Sequence, residues 1–206
     1  MTQPDITLYG SIASRTFTAR WMLEELGVPY RVEVVDIRSG AQKAPAYLKL
    51  NPMGKVPTLT DGAAVVTETT AICLYLADRY GYGALAPKVE AADRAAYLRW
   101  AVFSTAVLEP AYQTKTAGLP AFHHGWGDLE SALLTVRLAL EPGPWLLGDT
   151  FTAADVALGA TLTVGLFTKQ ISEDPVLNAY NARLAARPAY QAASAATWPP
   201  ELFPQG

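Results

Sequence analysis

Hydrophobic and polar positions change period several times in the first eighty residues. Ile6–Tyr9 is a short apolar run closed by Gly10-Ser11, as expected of a buried strand. From Arg15 to Leu26, the residues Phe17, Trp21, Met22, Leu23 and Leu26 recur at helical spacing, and Gly27 with Pro29 marks the stop. Tyr30–Ile37 (YRVEVVDI) alternates as a strand. Ser39–Leu50 reads as a polar loop with one helical turn. Val56–Leu59 and Ala64–Thr67 flank Asp61-Gly62, a strong short hairpin signal. Glu68–Tyr80 is helical again, with Ile72, Tyr75, Leu76 and Arg79 on related faces. The order βαβ, loop, ββα predicts a mixed sheet in an α/β layer.

After Tyr80 the pattern changes. GYGALAP has the glycines and proline of a linker. Helical periodicity then covers Glu90–Leu108, Gly127–Leu140, Thr152–Phe167 and Pro175–Ala186, with a short alanine-rich helical stretch near Ala192–Ala196 and no strand signal. Two domains are expected: an α/β domain over residues 1–82 and an all-α domain over 88–206. Thr152-Ala-Ala-Asp155 before an apolar run is a variant of the capping box.

Composition narrows the function. A chain of 206 residues, 50% hydrophobic, is long enough for a sizeable core. The net charge of −3 comes with no basic stripe, which argues against nucleic acid as a partner. The longest apolar stretch, near Val156–Phe167, is too short to span a bilayer. The N-terminal MTQPDITLYG has neither a basic start nor a long apolar run, so no signal peptide is expected. The single cysteine, Cys73, cannot form an internal disulfide, which suits a reducing cytoplasm, and within Ala-Ile-Cys-Leu-Tyr it reads as structural. His123 and His124 are the only histidines and lack metal-ligand spacing, so no metal is expected. Gly81-Tyr-Gly83 does not follow a strand and is no dinucleotide loop.

Candidate chemistry concentrates in NPMGKVPTLTDGAAVVTETTAI, Asn51 to Ile72. A cis Val56–Pro57 bond would leave the Val56 amide and carbonyl at a sheet edge to pair with an extended peptide; a trans proline would merely start an edge strand. Thr67-Glu68-Thr69-Thr70 opens a helix, whose free amides and partial positive charge suit a carboxylate. Thr69 adds a hydroxyl, and Glu68 can pair with an ammonium group on the same ligand. The plain alternative is an N-cap.

Tyr9, Ser14, Arg20-Trp21-Met-Leu-Glu-Glu-Leu-Gly27, Asn51-Pro-Met-Gly-Lys-Val-Pro57 and Glu68-Thr69 together resemble the cytosolic glutathione transferase superfamily, and Leu147-Gly148-Asp149 with Phe151-Thr152-Ala-Ala-Asp155 resembles the capping motif of its helical domain. The resemblance covers nearly the whole chain. It implies a thioredoxin-like N-terminal domain, an all-α C-terminal domain carrying the electrophile pocket, and a homodimer. Glutathione is the implied co-substrate, and a small apolar electrophile receives its thiolate. By carry-over, Val56 holds the cysteinyl backbone beside a cis Pro57, Glu68 and Thr69 hold the γ-glutamyl end, and Lys55 and Lys43 lie near the glycine carboxylate. The thiolate-stabilising hydroxyl is Ser14 or Tyr9, with Ser11 a third option. Trp100, Phe103, Tyr112, Phe122 and Trp126 fall where that family walls the electrophile pocket. No cysteine occupies the Ser11–Ser14 turn, which argues against thiol–disulfide exchange. Isomerase or dehalogenase chemistry on the same scaffold, or a non-catalytic adaptor role, are the alternatives.

Overall fold

The computed structural model describes residues 4–199, apart from the side chain of Phe122. The described chain divides into two compact units, one formed by residues 4–80 together with 188–199, the other by Gly81–Arg187.

The first unit opens with strand β1 (Ile6–Gly10), helix α1 (Thr16–Leu26) and strand β2 (Tyr30–Val34). A short 3-10 turn (Ala41–Lys43) and helix α2 (Pro45–Leu48) lead to the hairpin of β3 (Thr58–Asp61) and β4 (Ala64–Thr67), and helix α3 (Thr69–Tyr80) follows. The sheet order is β2-β1-β3-β4, with β1 parallel to β2 and antiparallel to β3, and β3 antiparallel to β4. This is the mixed sheet expected from the sequence. Two boundaries differ. Strand β2 stops three residues short of Ile37, and β3 begins at Thr58 rather than Val56, because the Val56–Pro57 segment makes no ladder bonds. Gly62 turns the hairpin at φ 57°, a left-handed value that glycine adopts without a Cβ penalty.

The sheet face toward α1 and α3 is apolar but for Asp61, which accepts from the Tyr75 and Tyr80 hydroxyls. Ile6, Leu8 and Leu59 pack with Trp21, Met22 and Leu23 of α1 and Ile72 and Leu76 of α3, all at 0–1% exposure. Gly27 ends α1 in the left-handed region, its amide donating to the Glu24 carbonyl. The last helix, α9 (Pro188–Thr197), lies in this unit and not in the helical one, where the sequence boundary put it. Tyr190 meets both Phe17 and Trp21 edge-on at 5.0 Å, and Trp198 meets Phe17 at 6.1 Å. These long-range aromatic contacts place the helix, and no local pattern encodes them.

The second unit is helical throughout: α4 (Arg94–Phe103), α5 (Glu109–Thr116), α6 (Leu129–Ala139), α7 (Ala153–Phe167) and α8 (Pro175–Ala185). A single π turn, Ser104–Leu108, joins α4 to α5. Pro110 accounts for it: the ring has no N–H and crowds the carbonyl four residues back. The capping box forms at α7, where the Ala154 amide donates to Thr152 Oγ1 (3.3 Å) and the Thr152 amide to Asp155 (2.9 Å). Asp155 also accepts from the Leu146 amide and the Tyr180 hydroxyl, both at 2.9 Å, so one buried carboxylate ties α7 to α8 and to the preceding loop. Burial pushes its carboxyl up to about 6 against these donors. No helix among the described residues is long and apolar enough to cross a membrane.

Candidate functional site

Strand register brings the predicted residues of the first unit to one end of the sheet. Tyr9, at the end of β1, lies opposite Thr58, the first residue of β3, and Thr58 lies opposite Thr67, the last residue of β4. The loop after β1 (Ser11–Ser14), the segment before β3 (Lys55–Pro57) and the junction after β4 (Glu68-Thr69) therefore leave the sheet side by side. Neighbouring strands are about 4.8 Å apart, so the three loop roots span about 10 Å.

The middle root is the most fixed. The Val56–Pro57 bond is cis. The Lys55 carbonyl accepts from Tyr47 Oη at 2.6 Å and from Asn51 Nδ2 at 3.0 Å. Tyr47 Oη also lies 2.9 Å from Thr58 Oγ1, while Asn51 Oδ1 accepts the Met53 amide at 3.1 Å. Burial pushes the Tyr47 phenol up, partly offset by its bond to Thr58. In contrast to Lys55, neither the amide nor the carbonyl of half-buried Val56 has a hydrogen-bond partner among the described residues. An unpaired amide and carbonyl on one residue can form a two-bond ladder with an extended peptide. Lys43 Nζ donates to the Met53 carbonyl at 2.9 Å, which ties its cationic end to the loop carrying the exposed Lys55.

At the third root, Glu68 is exposed and adopts φ 66°, a left-handed value uncommon outside glycine. Its carbonyl accepts the Ile72 amide at 2.9 Å, so it stands as the first residue of the α3 turn. Thr69 follows directly. The amides of a helix's first turn have no intrahelical acceptor, and the helix dipole adds partial positive charge there.

At the first root, Gly10 makes the close approach possible. A Cβ there would stand 2.2 Å from Thr16 Cγ2 and 2.7 Å from Thr16 Oγ1. Ser14 Oγ lies 2.6 Å from the Ser11 carbonyl and 2.8 Å from Thr16 Oγ1, and accepts the Thr16 amide at 3.2 Å. Ser11 is buried, with its amide donating to Thr16 Oγ1 at 3.0 Å. Strand alternation separates the two hydroxyl candidates. Gly10 points toward α1, whereas Tyr9 points to the other face, its ring edge-on to Tyr47 at 6.3 Å. There Tyr9 lines a cavity of about 300 Å³ with Glu33, Val34 and α2.

The remaining sequence candidates are mostly packed. Cys73 is fully buried, and burial pushes its thiol up to about 12. Trp100 is buried edge-on to Phe103 beneath Arg99, and Tyr112 is buried. Trp126 stacks on His124 at 4.5 Å and donates to Thr114. The side chain of Phe122 lies outside the described residues. No group of three or more His, Cys, Asp or Glu among the described residues is placed to hold a metal. Sequence reasoning did not single out Tyr47 or Thr16, whose contacts hold the candidate residues, and it named Asn51 only within the Asn51–Pro57 motif. The Asn51-Pro52 pair was the one visible signal, since asparagine before proline favours a turn.

Known proteins resemble this chain in sequence and fold. The family model described as glutathione S-transferase, N-terminal domain, matches residues 14–79. Glutathione S-transferase GST-4.5 of Xanthomonas campestris pv. campestris is 34% identical over 145 residues, 66% of this chain and 70% of that relative. Glutathione S-transferase 3 of Schizosaccharomyces pombe is 38% identical over 105 residues, but there the match spans 51% of this chain and 43% of the relative, less than half its length. Among solved structures, the theta class glutathione S-transferase of Xanthomonas axonopodis pv. citri, with glutathione bound, superposes with a TM-score of 0.73 at 34% identity, covering 93% of this chain and 97% of the other. The chain belongs to the glutathione S-transferase family.

Proposed function

We propose that this protein is a glutathione transferase that adds the glutathione thiolate to a small apolar electrophile. The observation that carries the reading is the convergence of three loop roots within about 10 Å, the length of an extended tripeptide. Val56 pairs with the cysteinyl backbone. Thr69 and the α3 amides take the γ-glutamyl carboxylate, and Glu68 takes its ammonium. Lys43 and Lys55 face the glycine carboxylate. Ser14 donates to the sulfur. Its position at the start of α1 supports this role over Tyr9, whose ring is turned to the α2 face.

The chemistry asks little more. A free thiol has a pKa near ~8.5, and lowering it by ~2 units takes roughly 2.7 kcal/mol of differential stabilisation. A hydrogen bond to a charged group contributes about 1.5–3 kcal/mol, and the helix N-terminus adds about 0.3–1 kcal/mol. With an aryl halide, the sulfur–carbon bond forms as the carbon–halide bond breaks, halide leaves, and the thiol proton passes to solvent. The absence of a cysteine between Ser11 and Ser14 argues against disulfide exchange. We extend the reading to a homodimer acting in detoxification in the cytoplasm.

Retention on immobilised glutathione together with turnover of an activated aryl halide is the expected result. A protein that does neither is not a glutathione transferase. Product analysis separates substitution from isomerisation, in which glutathione returns unchanged, and from dehalogenation without a stable conjugate. A monomer mass in light scattering would remove the homodimer.

A further inference from the structure

The turn that carries Ser14 is held from a distant part of the chain. Ser11–Ser14 leads from β1 into α1, and Ser14 Oγ donates back across it to the Ser11 carbonyl at 2.6 Å. Within this turn Ala13 has φ 50°, while Ile12 lies outside the left-handed region. A positive φ confined to the third of four residues marks a type II turn, which differs from type I by a flip of the central peptide. That peptide joins Ile12 to Ala13. Glycine or asparagine is the usual occupant of the third place, and for alanine the left-handed form is disfavoured roughly 5–30-fold. The Ala13 amide, which belongs to the central peptide, donates to the Thr197 carbonyl at 2.8 Å. Thr197 is the last residue of α9, where carbonyls have no intrahelical donor and the helix dipole adds partial negative charge. This acceptor is fixed in place: Thr197 is 1% exposed, and Tyr190 and Trp198 pack on Phe17 of α1 at 5.0 Å and 6.1 Å. Ala13 itself is exposed, so burial of its methyl does not explain its backbone.

We propose that the last turn of α9 is a positioning element of the thiolate site: the Thr197 carbonyl, by accepting the Ala13 amide, selects the form of the Ser11–Ser14 turn that presents Ser14 to the glutathione sulfur. This rests on the glutathione transferase reading. With the central peptide flipped, its N–H would point away from Thr197, and a buried helix-end carbonyl would lose that donor. Ala13 would in turn regain an ordinary backbone of negative φ. Ser14 follows Ala13 directly and would have to absorb the change. Its Oγ accepts the Thr16 amide at 3.2 Å, so the hydroxyl is placed by the turn on one side and by the head of α1 on the other. Thr197 brings no group to the ligand and acts through Ser14 alone. No bond is made or broken in this step.

The test replaces the peptide N–H at position 13 by an ester oxygen in the full chain, with lactate in place of Ala13 and, in the Ala13→Gly background, glycolate. The readouts are the ultraviolet thiolate band of bound glutathione against pH and the pH profile of kcat/KM. Without the Thr197 contact, the preference of the lactate residue leaves about a tenth of the chains in the presenting form, and the midpoint of thiolate formation is expected to rise by about one pH unit. At about pH 6 both thiolate and kcat/KM then fall about tenfold and recover toward alkaline pH. Glycine takes either sign of φ about equally, so in the Ala13→Gly background the same ester moves the midpoint by about 0.3 pH units at most. A rise of equal size in both backgrounds, a loss equal at all pH values, or an unmoved midpoint makes the contact a tie for folding alone and overturns the proposal. If the ester protein fails to fold, Trp198→Ala loosens α9 at Phe17 instead. Its midpoint shift is then expected to shrink when combined with Ala13→Gly, and a shift that does not shrink overturns the proposal as well. Failure of the underlying reading looks different, because it appears in the unmodified protein as absent glutathione binding.

Discussion

Replacing Asn51 by alanine tests whether the segment before β3 is held rigid for binding. The carboxamide makes three contacts: Nδ2 donates to the Lys55 carbonyl at 3.0 Å and to Thr58 Oγ1 at 3.3 Å, and Oδ1 accepts the Met53 amide at 3.1 Å. Tyr47 still serves the Lys55 carbonyl and Thr58 in the variant, so the group left stranded is the Met53 amide. Met53 is exposed, so water takes up its amide, and the loss is that of the three net hydrogen bonds at about 0.5–1.5 kcal/mol each, roughly 2–4 kcal/mol together. At about 2–4 °C per kcal/mol for a chain of this size, the Tm is expected to fall by roughly 4–16 °C. The same loosening frees Val56, one residue beyond Lys55. If about 1.4 kcal/mol of the loss falls on the docked geometry, the KM for glutathione rises about tenfold, while kcat at saturation changes less because Ser14 is held by α1. Thermal melts and initial rates over a glutathione series measure both. A variant that melts within about 1 °C of the parent refutes the energetic argument. One that melts far lower yet keeps its KM within twofold shows that the Asn51 anchor serves folding and not the ligand.

Asp155→Asn should abolish a distinctive pH dependence. The Asp155 carboxyl is raised to about 6 in the folded chain, against ~3.9 unfolded, so the folded state binds more protons between these values and stability falls as pH rises through this window. The full effect of this one group is up to ~3 kcal/mol between about pH 4 and pH 7, and chemical denaturation of parent and variant across that range isolates it. Gly10→Ala should lower both stability and activity, because its Cβ would meet Thr16 at 2.2 Å and displace the Ser11–Thr16–Ser14 contacts; a fully active variant of parental Tm contradicts the close approach. Cys73 should react with a thiol reagent roughly a thousandfold more slowly than free cysteine, given a thiol near 12, and at the normal rate in denaturant; rapid labelling of the native protein would place it at the surface.

Most of the candidate residues were picked out before the fold, and the reason is local. Lys55, Val56, Pro57, Glu68 and Thr69 belong to turns and a helix start, whose residue preferences follow from backbone geometry over a few positions. Ser14 was readable for the same reason. The sequence did not say where the Tyr9 ring points relative to Ser14, because that depends on which face of β1 points to α1. The neighbour of Tyr9 is Gly10, and only the contact with Thr16 reveals the direction. The anchoring contacts of Tyr47 and Asn51 were not legible, because their partners, Lys55 and Thr58, matter through a carbonyl and a hydroxyl that the sequence does not aim.

Periodicity and capping chemistry alone determined that this chain makes a mixed sheet followed by a helical half, because amphipathic spacing and turn residues act within one or two turns of chain. The Thr152–Asp155 cap is the clearest case, since its sequence spacing is itself the geometry. Tertiary structure alone decided that α9 joins the sheet unit, that three loops leave one end of the sheet together, and that a glycine beside Thr16 lets two hydroxyls and the Ser11 backbone close a ring. Each of these depends on groups brought together from distant positions or from opposite faces of a strand. Their energy arises only once the strands are in register.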